Sequence, residues 1–145
     1  MTTYPISPVR CCLAGLAMLW AGLAGAAEPI AIGLNLPRTG QYAQEGLMQM
    51  RGAMLALDEI NQAGGVLGRP LALLERDSAS NPERAVRNVD ELADAGARML
   101  FGGASSAVAI AAGKRARDRG LLYFGTLTYS NDTTGRDGQR YMFRE

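Results

Sequence analysis

The stretch Ile30-Ala31-Ile32-Gly33-Leu34-Asn35-Leu36, Pro37-Arg38-Thr39-Gly40, Gln41-Tyr42-Ala43-Gln44-Glu45-Gly46, closing with Ala56-Leu57-Asp58-Glu59-Ile60-Asn61 and Ala63-Gly64-Gly65-Val66-Leu67-Gly68-Arg69-Pro70-Leu71, decides the fold. Ile30 to Leu36 is an apolar run bounded by prolines, as expected of a strand covered on both faces. The Pro-Arg-Thr-Gly segment is a turn. Beyond it Leu47, Met50, Met54, Leu57 and Ile60 recur at three- and four-residue steps, which predicts an amphipathic helix with one apolar stripe. Gly64-Gly65 ends that helix, and Leu71 starts the next strand.

The alternation continues outward from this opening. Leu71 to Glu75, Arg98 to Phe101 and Leu121 to Phe124 are further short apolar runs bounded by Gly, Pro or Asp. A second helix starts with Asn81 as N-cap and Pro82 at its first position, buries Ala85, Val86, Val89, Leu92 and Ala93, and stops at Gly96. A third follows Ser105-Ser106 and uses small residues such as Ala107, Ala109, Ala111 and Ala112. It ends in Lys114, Arg115, Arg117 and Arg119, where cations suit the negative helix end. Strands alternating with helices at this spacing imply right-handed crossovers, hence an α/β fold with a doubly wound parallel sheet and helices on both faces. Ligands on such sheets bind at the carboxyl ends of strands. Here that means the loops Pro37 to Gly46, Asp77 to Asn81, Gly102 to Ser106 and Thr126 to Asp137.

The residues ahead of Ile30 place the protein. Met1 to Arg10 is polar with the single cation Arg10, Cys11 to Leu23 is almost wholly apolar, and Ala24-Gly25-Ala26-Ala27 is the small-residue pattern of a signal peptidase site. A cleavable signal peptide over residues 1–27 is expected, with 28–145 as the mature part. The apolar run is shorter than the ~20 residues of a spanning helix and has no cationic stop-transfer flank. Both cysteines, Cys11 and Cys12, precede the apolar run's end, so the mature part holds no disulfide and no lipidation site of the usual kind. Of 15 cations and 14 carboxylates, only Arg10 falls in the leader, so the mature charges balance. That disfavours nucleic acid as a partner.

With these motifs in hand, the chain resembles the periplasmic solute-binding proteins of the leucine/isoleucine/valine-binding type, which serve ABC importers. The resemblance rests on Thr39-Gly40 with Gly46, on Ala56 to Asn61 and Gly64 to Gly68, on Asp77 with Asn81-Pro82 and Ala85-Val86, on Phe101 to Ser106, and on Arg140 to Arg144. It spans nearly all of residues 30–145. It implies a periplasmic two-lobed protein that traps a small solute, an amino acid or a related amide or carboxylate, and delivers it to an inner-membrane permease. Residues 28–145 then correspond to part of the first lobe, with the second lobe absent. Either the chain is a fragment or the gene is truncated. A ligand-sensing ectodomain of a receptor or regulator with the same fold is the alternative. The chain departs from family members that carry a cysteine pair in this lobe.

Candidate ligand residues follow. A helix beginning near Ser105-Ser106 presents free N–H groups and a positive dipole end, and Gly102-Gly103 allow close approach to the backbone, which suits a carboxylate. The resemblance puts Ser106 at the family's carboxylate position and adds contacts from Thr126, Leu127, Thr128 and Tyr129. Read without the family, Ser105 and Ser106 are an ordinary N-cap pair, since Ser is a preferred cap. Glu45 stands where branched-chain binders often have an aromatic or apolar residue. Facing the cleft, it would favour a ligand bearing a donor or cation; otherwise it is a solvated acid in the first turn. Tyr42 and Tyr129 are either stacking walls or loop-edge packing. Asp77 reads as a loop cap rather than a binding group, and Tyr129 to Gly135 as either polar ligand contacts or a turn-rich surface loop.

Enzymatic readings lack their residues. The chain has no histidine, which removes Ser-His catalysis and histidine metal ligation. No thiol remains beyond the leader, and neither GxGxxG nor GK[ST] occurs at the glycines 102 and 103. No cofactor, no metal and no catalytic residue is expected.

Overall fold

The computed structural model describes residues 27–145, so the signal-peptide reading of the leader lies almost wholly outside the described residues. Five strands form one parallel sheet: β1 (Ile30–Leu36), β2 (Leu71–Asp77), β3 (Met99–Gly103), β4 (Leu122–Thr126) and β5 (Met142–Arg144), in the order β2-β1-β3-β4-β5. The helices are α1 (Ala43–Gln62), α2 (Pro82–Asp94) and α3 (Ser106–Asp118), with a short 3-10 turn at Asn131–Thr133. The expected strands are present, but β2, β3 and β4 run two residues further toward their carboxyl ends than their apolar runs. Main-chain pairing continues through Asp77, Gly103 and Thr126, which need no apolar side chain to hold their register.

One face of the sheet carries the core. Leu100, Tyr123 and Met142 meet Ala85, Val89 and Leu92 of α2 and Val108, Ala109 and Ala112 of α3, all buried. Asn81 caps α2 as expected, its Oδ1 accepting from Arg84 N–H at 2.7 Å. The cations closing α3 do more than offset a dipole: Arg115 and Arg119 pair with Asp90, and Arg119 also with Asp94, stitching α3 to α2. Small residues on α3 let the two helices approach closely.

Among the described residues the opposite face is held by α1 alone, and the stripe of this helix is turned from the expected one. Gly46 is the buried residue of this helix, while Leu47, Met54 and Ile60 are exposed. Gly46 sits directly on the Pro37 carbonyl, where a Cβ would overlap the oxygen. That contact sets the helix rotation, so Ala53 and Leu57 face the sheet while Leu47 and Met54 move to a flank. Between α1 and the sheet remains an apolar gap of about 520 Å³, bordered by Leu34, Leu36, Gln49, Ala53, Leu57 and Phe101. Further along this face Phe101, Phe124 and Phe143 stack at centroid distances of 4.9 and 5.2 Å.

Candidate functional site

From β1 the chain crosses to β2 on one side, then returns to β3 on the other, so the loops leaving β1 and β3 diverge at the carboxyl edge. This is the switch point at which open parallel sheets offer a crevice. Backbone strain collects there. Ala79 and Ser80 after β2, Ala104 after β3 and Leu127 after β4 all have φ between 50° and 64°, the left-handed region that side chains with a Cβ rarely adopt.

Two groups of loops form the edge. In the first, the Asp77 carboxylate organises both the loop after β1 and its own. Oδ1 accepts from Arg38 N–H at 2.9 Å, Thr39 N–H at 3.2 Å and Ala79 N–H at 2.8 Å, and Oδ2 accepts from the Thr39 hydroxyl at 2.7 Å. Arg84 adds an ion pair at 3.3 Å. Burial works to raise this carboxyl, but the bonds from the Thr39 hydroxyl and the Ala79, Thr39 and Arg38 amides outweigh it, holding it below the ordinary aspartate value. Ser80 Oγ accepts from Tyr42 N–H at 3.0 Å, so the loop that leads into α1 is bound to the loop that leads into α2.

The second group joins β3, β4 and β5. Ala104 N–H donates to the Thr126 carbonyl at 2.9 Å, and Ser130 N–H donates to Ser106 Oγ at 3.1 Å. Ser105 is the N-cap of α3, yet its side chain makes no capping bond. The first helical bond is Ala109 N–H to the Ser105 carbonyl, which leaves the N–H groups of Ser106, Ala107 and Val108 without intrahelical partners. Thr128 is 3% exposed, fitted against Gly103 and Gly125, and its hydroxyl and that of Thr126 have no hydrogen-bond partner among the described residues.

The candidate residues therefore separate. Ser105, Ser106, Thr126 and Thr128 come together at the ends of β3 and β4, with Tyr129 beside them but 85% exposed. Tyr42 is half-buried in the other group, as the residue before α1. Glu45 lies exposed in the first turn of α1, with no hydrogen bond or ion pair found for it among the described residues. Asp77 is a loop organiser, as its position suggested.

The periodicity reading passed over three sets of residues. Gln49 donates from Nε2 to the Thr126 carbonyl at 3.3 Å, linking α1 to the second group. A polar residue on the same arc as Gly46 and Ala53 was the available signal. Buried Asn35 accepts from Asn88 Nδ2 at 2.9 Å and donates to the Ala85 carbonyl at 2.8 Å, fixing α2 under the crevice. Arg144 reaches back from β5 to the loop after β4. Among the described residues no three His, Cys, Asp or Glu side chains converge as a metal site would require.

A periplasmic binding protein family profile matches residues 29–145. The chain is 35% identical over 131 residues to the leucine-, isoleucine-, valine-, threonine- and alanine-binding protein of Pseudomonas aeruginosa, covering 88% of the chain and 35% of that protein. It is also 32% identical over 130 residues to a Leu/Ile/Val-binding protein homologue of Brucella suis, covering 90% and 32%. Among solved structures it resembles a branched-chain amino acid transporter substrate-binding protein of Streptococcus pneumoniae in complex with isoleucine, at TM-score 0.75, 30% identity, 80% of this chain and 33% of that one. The closed form of a leucine-, isoleucine-, valine-, threonine- and alanine-binding protein from Brucella ovis aligns at TM-score 0.74 and 30% identity, over 81% and 32%. The chain thus spans about a third of the length of the relatives it matches. Its parallel sheet, its edge loops and this match agree: the chain belongs to the periplasmic binding protein family.

Proposed function

We propose that this chain forms one wall of the solute site of an ABC importer's substrate-binding component. It captures an amino acid or a related amide or carboxylate in the periplasm for delivery to an inner-membrane permease. The observation that carries the reading is the amino end of α3, where three N–H groups without intrahelical partners stand beside the unengaged Ser105 side chain at the switch point. Hydrogen bonds to a carboxylate there are worth about 1.5–3 kcal/mol each, against ~0.3–1 kcal/mol for the helix dipole, so directed N–H groups dominate. The unpartnered Thr126 and Thr128 hydroxyls supply further polar groups to the same end of the sheet. The relatives' names, which specify leucine, isoleucine and valine, support an amino acid as the ligand class. Export through the leader over residues 1–27 is part of the same proposal.

Thermal-shift screening of the complete protein carrying this chain, against amino acids, amides, aromatic acids and nucleotides, tests it. An amino acid at a hundred times its Kd stabilises by about 2.7 kcal/mol, a shift of several degrees. A response to nucleotides with none to any amino acid, amide or carboxylate overturns the reading.

A further inference from the structure

Arg144 closes β5 and turns its guanidinium back over the loop after β4. Nη1 donates to the Ser130 carbonyl at 2.8 Å and to the Tyr129 carbonyl at 3.4 Å, and Nη2 donates to Asn131 Oδ1 at 3.2 Å. No ion pair of Arg144 is found among the described residues, so its charge is directed at these three oxygens of one loop. The same loop sends Ser130 N–H to Ser106 Oγ at 3.1 Å. Ser106 is thereby fixed as an acceptor toward the loop, and its hydroxyl proton is left to donate elsewhere. Two further bonds secure the arrangement. Ser130 Oγ accepts from Asp132 N–H at 3.2 Å, and the strained Leu127, with φ 54°, donates its N–H to Glu145 Oε1 at 2.9 Å. Leu127 and the segment from Tyr129 to Asn131 are therefore both held from the β5 end, by Glu145 and Arg144.

We infer that Arg144 is a positioning residue for the solute site: by gripping Tyr129, Ser130 and Asn131 it holds Ser130 N–H on Ser106 and so orients the Ser106 hydroxyl beside the free N–H groups of α3. The inference rests on the function proposed above. A planar fork that meets three oxygens at once is a property of arginine; a lysine ammonium on its flexible stem reaches fewer of them and orders the loop less. Tyr129, exposed and carried on the gripped segment, moves with it.

The test uses amide exchange by NMR on the complete protein carrying this chain and on its variants Arg144→Met, Arg144→Lys and Ser106→Ala, followed by titration with L-leucine. In Arg144→Met the Ser130 amide is expected to exchange about tenfold faster or more, while core amides of Leu100 and Tyr123 keep their protection. Arg144→Lys should restore part of that protection, and Ser106→Ala should expose the Ser130 amide alone. Unchanged Ser130 exchange in Arg144→Met overturns the clamp. L-Leucine is expected to shift the Ser106, Ala107 and Val108 amides, with about tenfold weaker apparent affinity in Arg144→Met. Equal affinity overturns the positioning role. If L-leucine moves none of these amides in any variant while the exchange changes appear, the clamp stands and leucine is removed as the solute of this wall. If Arg144→Met does not fold, the comparison of Arg144→Lys with the parent decides the matter by the same Ser130 amide.

Discussion

The Thr39 hydroxyl donates to Asp77 Oδ2 at 2.7 Å, tying the loop after the first strand to the end of the second across 38 residues of chain. Together with the bonds from Arg38, Thr39 and Ala79 amides, it makes one carboxylate the organiser of two edge loops. Asp77→Asn keeps the shape but loses the charge and one acceptor, and is expected to destabilise by about 2 kcal/mol in urea unfolding at pH 7. Because the folded carboxyl lies below its unfolded value of 3.8, its contribution is complete above that pH and is lost as pH falls through the folded value. The difference in stability between parent and Asp77→Asn should therefore be flat from pH 7 to 5 and shrink below pH 4.

Asn35 and Asn88 form a buried polar pair, and Asn88 Nδ2 also donates to the Asp77 carbonyl at 3.0 Å. Asn35→Ala removes the second bond to the Ala85 carbonyl, which keeps its helical bond, and releases Asn88 from Asn35 Oδ1, a loss of about 1–3 kcal/mol. The double variant Asn35→Ala/Asn88→Ala is expected to lose less than the two single losses added, by 0.5 kcal/mol or more, as coupled neighbours do. Additive losses in denaturant titration would show that the pair does not act as a unit.

Tyr123 is fully buried, and its hydroxyl has no partner among the described residues. Burial alone pushes its phenol well above the ordinary tyrosine range. Tyr123→Phe removes the unsatisfied group without changing the ring, so the variant should be about 1 kcal/mol more stable than the parent. A measurable loss of stability would mean that the hydroxyl has a partner in solution.

Gly103 has φ 138°, and a Cβ placed there would lie 2.9 Å from Thr128 Cγ2 and 2.8 Å from the Thr126 carbonyl oxygen. Gly103→Ala should cost about 1–3 kcal/mol by overpacking. Gly125→Ala, whose Cβ would lie 3.2 Å from Thr128 Oγ1, should cost less. Thermal unfolding of the two variants side by side gives the order.

For the proposed ligand, Ser106→Ala should weaken a carboxylate solute by about 1 kcal/mol or more, at least as much as Arg144→Met, measured calorimetrically on the complete protein. Unchanged affinity would leave Ser106 only its bond from Ser130. Glu45, exposed in the first turn of α1, is the residue proposed to set preference among solutes. Glu45→Tyr should move the ranking toward apolar side chains, and an unaltered ranking would remove Glu45 from the site.

How much of this was readable in the chain follows from the range of each interaction. Periodicity, caps and breakers are local, so the strand-helix alternation, the Asn81 cap, the Gly64-Gly65 stop and the edge on which the loops gather could all be read from neighbours a few residues apart. Asp77 was legible as a cap because its carboxylate stands at a strand end before a turn. Signals that depended on rotation were not: the Leu47, Met50, Met54, Leu57 and Ile60 stripe is correct as a period, yet Gly46 seated on Pro37 turns Leu47 and Met54 outward.

By itself, then, the sequence determined an α/β chain of alternating elements with its loops on one edge, because hydrophobic spacing and turn chemistry act within a single segment. Only the tertiary structure decided which loops are bound to which. Asn35 meets the Ala85 carbonyl 50 positions away, Gln49 meets the Thr126 carbonyl 77 away, and Ser106 Oγ receives Ser130 N–H 24 away. Those encounters exist once crossovers have brought β1, β3 and β4 side by side, since a hydrogen bond is specified by the position of two atoms in space and no spacing along the chain encodes it.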